Sequence, residues 1–110
     1  MNRSKPELLP GTLDLLILRV LAGDTMHGYG IVQKLKALSH DVLQVGESSL
    51  YPALQRLLLN GYVDAKWGPS ENNRRARYYT ITRAGRRQLA AEREEFQQIV
   101  TAIQRVLQLA

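Results

Sequence analysis

Two groups of residues in this chain carry side chains able to grip anions or read hydrogen-bonding edges. The first is Ser48, Ser49, Tyr51, Pro52, Gln55, Arg56 and Asn60, spaced so that one helix turns most of them outward. Gln can pair with adenine and Arg with guanine through two hydrogen bonds each, whereas Ser hydroxyls suit phosphate or a helix cap. Tyr51 can offer its hydroxyl to a phosphate or sugar while its ring packs under the helix. The second group is Arg74, Arg75 and Arg77, with Lys66 upstream. Such cations follow a phosphate backbone or enter a minor groove, where the potential is most negative. Between Lys66 and Arg87 lie seven basic residues against the single acid Glu71, which accounts for all of the chain's net charge of +5.

Other chemistries find little footing. Without cysteine there is no disulfide and no thiolate metal site, and a reducing cytoplasm is expected. His27 and His40 stand thirteen residues apart with no clustered carboxylate, so no metal or cofactor is expected. No Ser-His-Asp register, phosphate-cradling glycine loop or nucleophilic thiol is present, and Glu92, Glu94 and Glu95 read as a solvated helix surface, so no enzyme is expected. The longest apolar run, Leu15 to Leu18, is far too short to span a bilayer.

The elements that must position these residues follow from periodicity. Residues 1 to 10, with Pro6 and Pro10, read as an arm. Thr12 should cap a first helix carrying Leu13, Leu16, Ile17, Val20 and Leu21 on one stripe, stopped by Gly23-Asp24. A second helix is predicted from about His27 to Ser39, with Ile31, Val32, Leu35 and Leu38 buried and Tyr29 in the core. The third should run from Ser48 to Asn60, with Ser48 and Ser49 as caps, Pro52 in the first turn, Leu50, Leu54, Leu57 and Leu58 inward, and Asn60-Gly61 as a left-handed stop. Tyr62 to Trp67 and Ala76 to Thr82 then form a hairpin with a long tip, one of Tyr78 and Tyr79 facing inward. Thr82 should cap a last helix on which Leu89, Phe96, Ile99, Val100, Ile103, Val106 and Leu107 recur at helical spacing. From Phe96 onward this stripe is too apolar and too remote for one small domain to cover, so a second copy of the chain is implied through Phe96, Ile99, Val100, Ile103, Val106 and Leu107. The expected fold is mainly α with a small β-hairpin: a winged helix-turn-helix over residues 1–82 and a dimerisation helix over residues 83–110, in one compact unit.

Four blocks then carry a family resemblance: Leu9-Pro10-Gly11-Thr12-Leu13-Asp14, His27-Gly28-Tyr29, Ser49-Leu50-Tyr51-Pro52-Ala53-Leu54, and Arg77-Tyr78-Tyr79-Thr80-Ile81-Thr82 with Ala84-Gly85. In order and spacing, from about Leu8 to Leu89, the chain resembles the PadR family, named for the phenolic acid decarboxylase regulator. Its single final helix is similar to that of the compact subgroup. The resemblance implies a bacterial transcription regulator, commonly a repressor, that binds double-stranded DNA as a homodimer on a pseudo-palindromic operator. It also implies that a small aromatic effector releases the DNA in some relatives, which makes Trp67 and Phe96 the candidate effector residues. The competing reading is a winged helix that serves only as a protein-interaction module.

Overall fold

The computed structural model describes Leu8 and residues 11–109. The rest of the N-terminal arm, with Leu9 and Pro10 of the first motif block, lies outside the described residues. The elements are α1 (Thr12–Gly23), β1 (Met26–His27), α2 (Gly28–Leu38), α3 (Glu47–Leu59), β2 (Val63–Pro69), β3 (Arg75–Ile81) and α4 (Arg83–Leu107). This is the winged helix-turn-helix expected from the pattern, with a long C-terminal helix.

The centre of the core is α1. Leu13, Leu15, Ile17, Leu18, Val20 and Leu21 are all buried, because α2, α3, β3 and α4 pack around this short helix. Its stripe is therefore wider than the periodic set of five, and Leu16 is only partly covered. Ile31 and Leu35 of α2, Leu50, Ala53, Leu54 and Leu57 of α3, and Val63, Tyr79 and Ile81 of the sheet complete the same cluster. Burial raises the pKa of the Tyr79 phenol, since a charged phenolate would be poorly solvated there.

The helix ends show which local signals decide. Thr12 does not cap α1: Gly11 holds the cap position at φ 84°, in the left-handed region, and Thr12 is the first helical residue. His27 caps α2, its Nδ1 accepting the Gly30 N–H at 3.0 Å. In α3 the cap is Gly46, without a side-chain bond, and the helix begins at Glu47. Ser48 and Ser49 consequently lie inside the first turn, and Pro52 falls two or three positions deeper than predicted, in the second turn. The N–H that Pro52 lacks would have met the carbonyl of Ser48, an exposed residue that water can serve, so the helix continues. The other end matches its signal closely. Gly61 has φ 74°, its N–H donates to the Leu58 carbonyl at 3.0 Å, and the Tyr62 N–H donates to the Leu57 carbonyl at 2.9 Å.

The wing is a three-stranded antiparallel sheet in the order β1-β3-β2, one strand more than the predicted hairpin. Val63 faces Ile81, Ala65 faces Tyr79, Trp67 faces Arg77 and Pro69 faces Arg75 across the β2–β3 ladder, while Met26 and His27 pair with Tyr79 and Tyr78. Two further expectations are corrected: Leu38 and Tyr29 are largely exposed, at 65% and 68%.

One junction ties wing, recognition helix and α4 together. The Thr82 N–H donates to the Tyr62 carbonyl at 3.0 Å, and the Thr82 hydroxyl donates to the Gly61 carbonyl at 2.7 Å. The same Thr82 oxygen accepts the Gly85 N–H at 3.0 Å, capping α4 as expected. Gly85 is buried there, and a Cβ on it would sit 2.1 Å from the Tyr62 carbonyl oxygen. Beyond Leu89, α4 leaves the core. Its 25 residues span roughly 37 Å, the molecule extends 57 Å along its longest axis, and its radius of gyration is 15.6 Å, against about 13 Å for a compact chain of this length. Among the described residues no helix is long and apolar enough to cross a membrane.

Gly85→Ala should cost about 2 to 3 kcal/mol, since backbone is a neighbour that cannot yield. Gly23→Ala, where a Cβ meets nothing within 4 Å, serves as the control and should not lower stability. Thermal unfolding of both variants checks this, and equal midpoints would show that α4 can back away from the turn.

Candidate nucleic-acid interface

On α3, Leu50, Ala53, Leu54 and Leu57 face the core. Ser48, Tyr51, Pro52, Gln55 and Leu59 therefore occupy the opposite, exposed side. Gln55 makes no hydrogen bond to another described residue, so its amide is available to a ligand. Asn60 is committed instead, its Nδ2 donating to the Arg56 carbonyl at 2.9 Å to close the helix end.

Arg56 is also committed. Its Nη2 and Nε donate to the two carboxylate oxygens of Asp14 at 2.7 and 3.2 Å, the one salt bridge among the described residues. The hydrogen bond and the charge of Asp14 raise the guanidinium's already high pKa. Expected to read a base freely, Arg56 is seated on the flank of α3 that leans toward α1. Nothing in the sequence signals this pair, which joins residues 42 apart.

Trp67, Arg77 and Arg75 share one face of the β2–β3 ladder with the core residues Val63, Tyr79 and Ile81, because side chains alternate and these positions are paired or two apart. The apolar face that seals the core thus runs outward into a Trp-Arg-Arg surface. Arg75 lies with its guanidinium carbon 5.8 Å from the Trp67 ring centre, and Arg77 lies 6.0 Å from that of Tyr79. Neither arginine has an acidic partner among the described residues.

That surface, the start of α2 and Tyr51 enclose an open groove of about 730 Å³. Tyr51, Arg74, Arg75 and Arg77 are brought together on its walls, with His27, Tyr29 and Trp67. The hydroxyl of Tyr51 lies over Gly28, where an added Cβ would be 2.9 Å away, so its ring leans toward the wing and is about half exposed. His27 and Tyr29 were not expected in this groove; the motif block His27-Gly28-Tyr29 was the signal that could have placed them there. Lys66 is not part of the groove. It faces Tyr78, on the other side of the ladder from Trp67 and Arg77. Ser48, Ser49, Pro52 and Gln55 lie on the neighbouring exposed surface of α3.

Trp67 lines the wing groove, whereas Phe96 stands part-exposed on α4. Ile99, Ile103, Val106 and Leu107 are exposed on the same helix and Val100 is partly so, which leaves the apolar stripe beyond Leu89 uncovered by this chain. No group of His, Asp and Glu among the described residues could hold a metal ion.

Residues 17–91 match the pattern of the Transcriptional regulator PadR-like family. The chain belongs to this family. Its PadR-like fold is similar to that of a transcriptional regulator from Clostridium thermocellum, 29% identical, with 86% of this chain and 92% of the other superposed at a TM-score of 0.79. It is also similar to a PadR-like transcriptional regulator from Bacillus cereus, 27% identical over 91% of this chain and 95% of that one, with a TM-score of 0.76. A curated relative, an uncharacterised protein of Lysinibacillus sphaericus, is 27% identical over 95 residues, covering 86% of this chain and 87% of its own length. As a PadR-like chain the protein is a transcriptional regulator.

Because the Asp14–Arg56 pair is partly open to solvent, Asp14→Asn should cost less than about 1 kcal/mol. The loss should shrink further in high salt. Denaturant midpoints at two ionic strengths check this; a larger, salt-independent loss would mark the pair as a structural lock on α3.

Proposed function

We propose that the protein is a sequence-specific repressor that binds double-stranded DNA as a twofold homodimer. α3 would enter the major groove, with Gln55 as the base-reading side chain and Ser48, Ser49 and Pro52 along its leading edge. Tyr51, Arg74, Arg75 and Arg77 would hold the adjoining backbone. The observation that carries this reading is the groove itself: Arg74, Arg75 and Arg77, none in an ion pair among the described residues, outnumber the single acid Glu71 on its walls and stand across from Tyr29 and Tyr51, beside the exposed Ser48 and Gln55 of α3. Arg56, half exposed in its pair with Asp14, would stand beside Gln55 as a second candidate for DNA contact.

Dimerisation is supported by the exposed Phe96, Ile99, Ile103, Val106 and Leu107 and the part-covered Val100. A twofold pairing along α4 would bury them and set the two α3 helices about 34 Å apart, one turn of the duplex. The operator is then an inverted repeat. Repression, and release by a small aromatic compound at the α4 seam near Phe96, rest on the family resemblance.

Selection from random duplexes should enrich an inverted repeat, and log affinity should fall steeply and linearly with log salt. Arg75→Ala with Arg77→Ala should make that slope shallower by about 2. Enrichment of no repeat, or a flat salt response, would overturn the reading in favour of a protein-interaction module. Ile103→Asp should convert the dimer to monomer by placing an unpaired charge in the seam, and should weaken operator binding strongly because the two half-sites lose their linkage. Sedimentation velocity checks the first effect, and an unchanged dimer would refute the α4 seam.

A further inference from the structure

The exposed tryptophan of the wing has no role in the reading above. Trp67 is 57% exposed, stands directly across from Arg77, and carries the Arg75 guanidinium over its ring at 5.8 Å. It is the only tryptophan in the chain. Its neighbours suggest a use. An arginine stacked on an aromatic face keeps its charge and leaves its N–H edge free, whereas an arginine held by a carboxylate, as Arg56 is by Asp14, spends that edge. Arg77 over Tyr79 repeats the arrangement one step closer to the core. The ladder thus sets two long cations against aromatic rings, with no ion pair among the described residues, at the mouth of a groove whose far wall is Tyr51 and the start of α2.

We propose that Trp67 is a positioning residue that holds Arg75 stacked and edge-outward, so that its N–H groups are already aimed when a phosphate backbone enters the wing groove. The inference rests on the DNA-binding reading and deepens it. Ordering a free arginine side chain on binding costs conformational entropy, and the indole removes much of that cost before contact. The indole is thereby assigned to backbone contact and removed from the candidate effector residues.

The test uses the full-length chain and a 30-base-pair duplex of random sequence, because backbone contacts do not depend on sequence. Trp67→Leu should weaken binding about fivefold and make the salt slope shallower by about 0.9, the share of one phosphate contact. Arg75→Ala should do the same, and the double variant should bind no worse than either alone. Trp67→Phe, which keeps an aromatic face, should restore most of the affinity. In the absence of DNA, Arg75→Ala should shift the emission of the single indole, a readout that needs no Trp67 variant to fold. Losses that multiply in the double variant, a Trp67→Leu protein with unchanged salt slope, or an indole emission indifferent to Arg75→Ala would each overturn the inference while leaving DNA binding intact. A wild-type chain that shows no salt-sensitive binding to the duplex would overturn the underlying reading as well.

Discussion

The structure hangs on the contact between Gly85 and the turn at Gly61-Tyr62. Four elements meet there: α3 ends, β2 begins, β3 has just ended and α4 starts. The Tyr62 N–H closes α3 onto Leu57, its carbonyl accepts from Thr82, and the missing Cβ of Gly85 lets α4 approach that carbonyl. Each bond alone is worth about 1 kcal/mol. Together they fix the direction of three elements from one short stretch of backbone. The wing and α4 therefore take their orientation from the end of α3.

This junction explains why so small a core is adequate. α1 is wrapped by α2, α3, the sheet and the start of α4, and only the first turns of α4 contribute to the covering. Most of the last helix adds nothing to the core of its own chain. In the proposed dimer that stripe would be covered, and the stability of the chain would then depend on its concentration by mass action.

The elements were legible in the sequence where local signals were strong. The periodic leucines of α3, the Asn60-Gly61 stop, the Thr82 cap and the apolar stripe of α4 all read correctly, because each depends on a few neighbouring residues. Position along α3 was harder. Gly46, extended at φ −87° and ψ 165°, took the cap in place of the two serines, and this moved Pro52 two or three positions inward. β1 was invisible, for two residues carry no period. At the candidate site, the wing arginines lie together on one groove, but which face each occupies depended on strand register. Lys66 and Trp67 are neighbours in sequence and opposite in the sheet. The Asp14–Arg56 pair and the exposure of Tyr29 are matters of tertiary placement, which no local pattern encodes.

α4 also acts as a lever. Its near end is clamped at Gly85 and its far end carries the apolar stripe, so a small angular change at the clamp is multiplied along its length. A tilt of about 10° over roughly 37 Å displaces the tip by about 6 Å, close to two base-pair steps of a duplex. A helix this long and this weakly tied to its own core is geometrically sensitive. In the proposed dimer, a slight movement of α4 would be enough to put the two α3 helices out of step with the turn of a duplex.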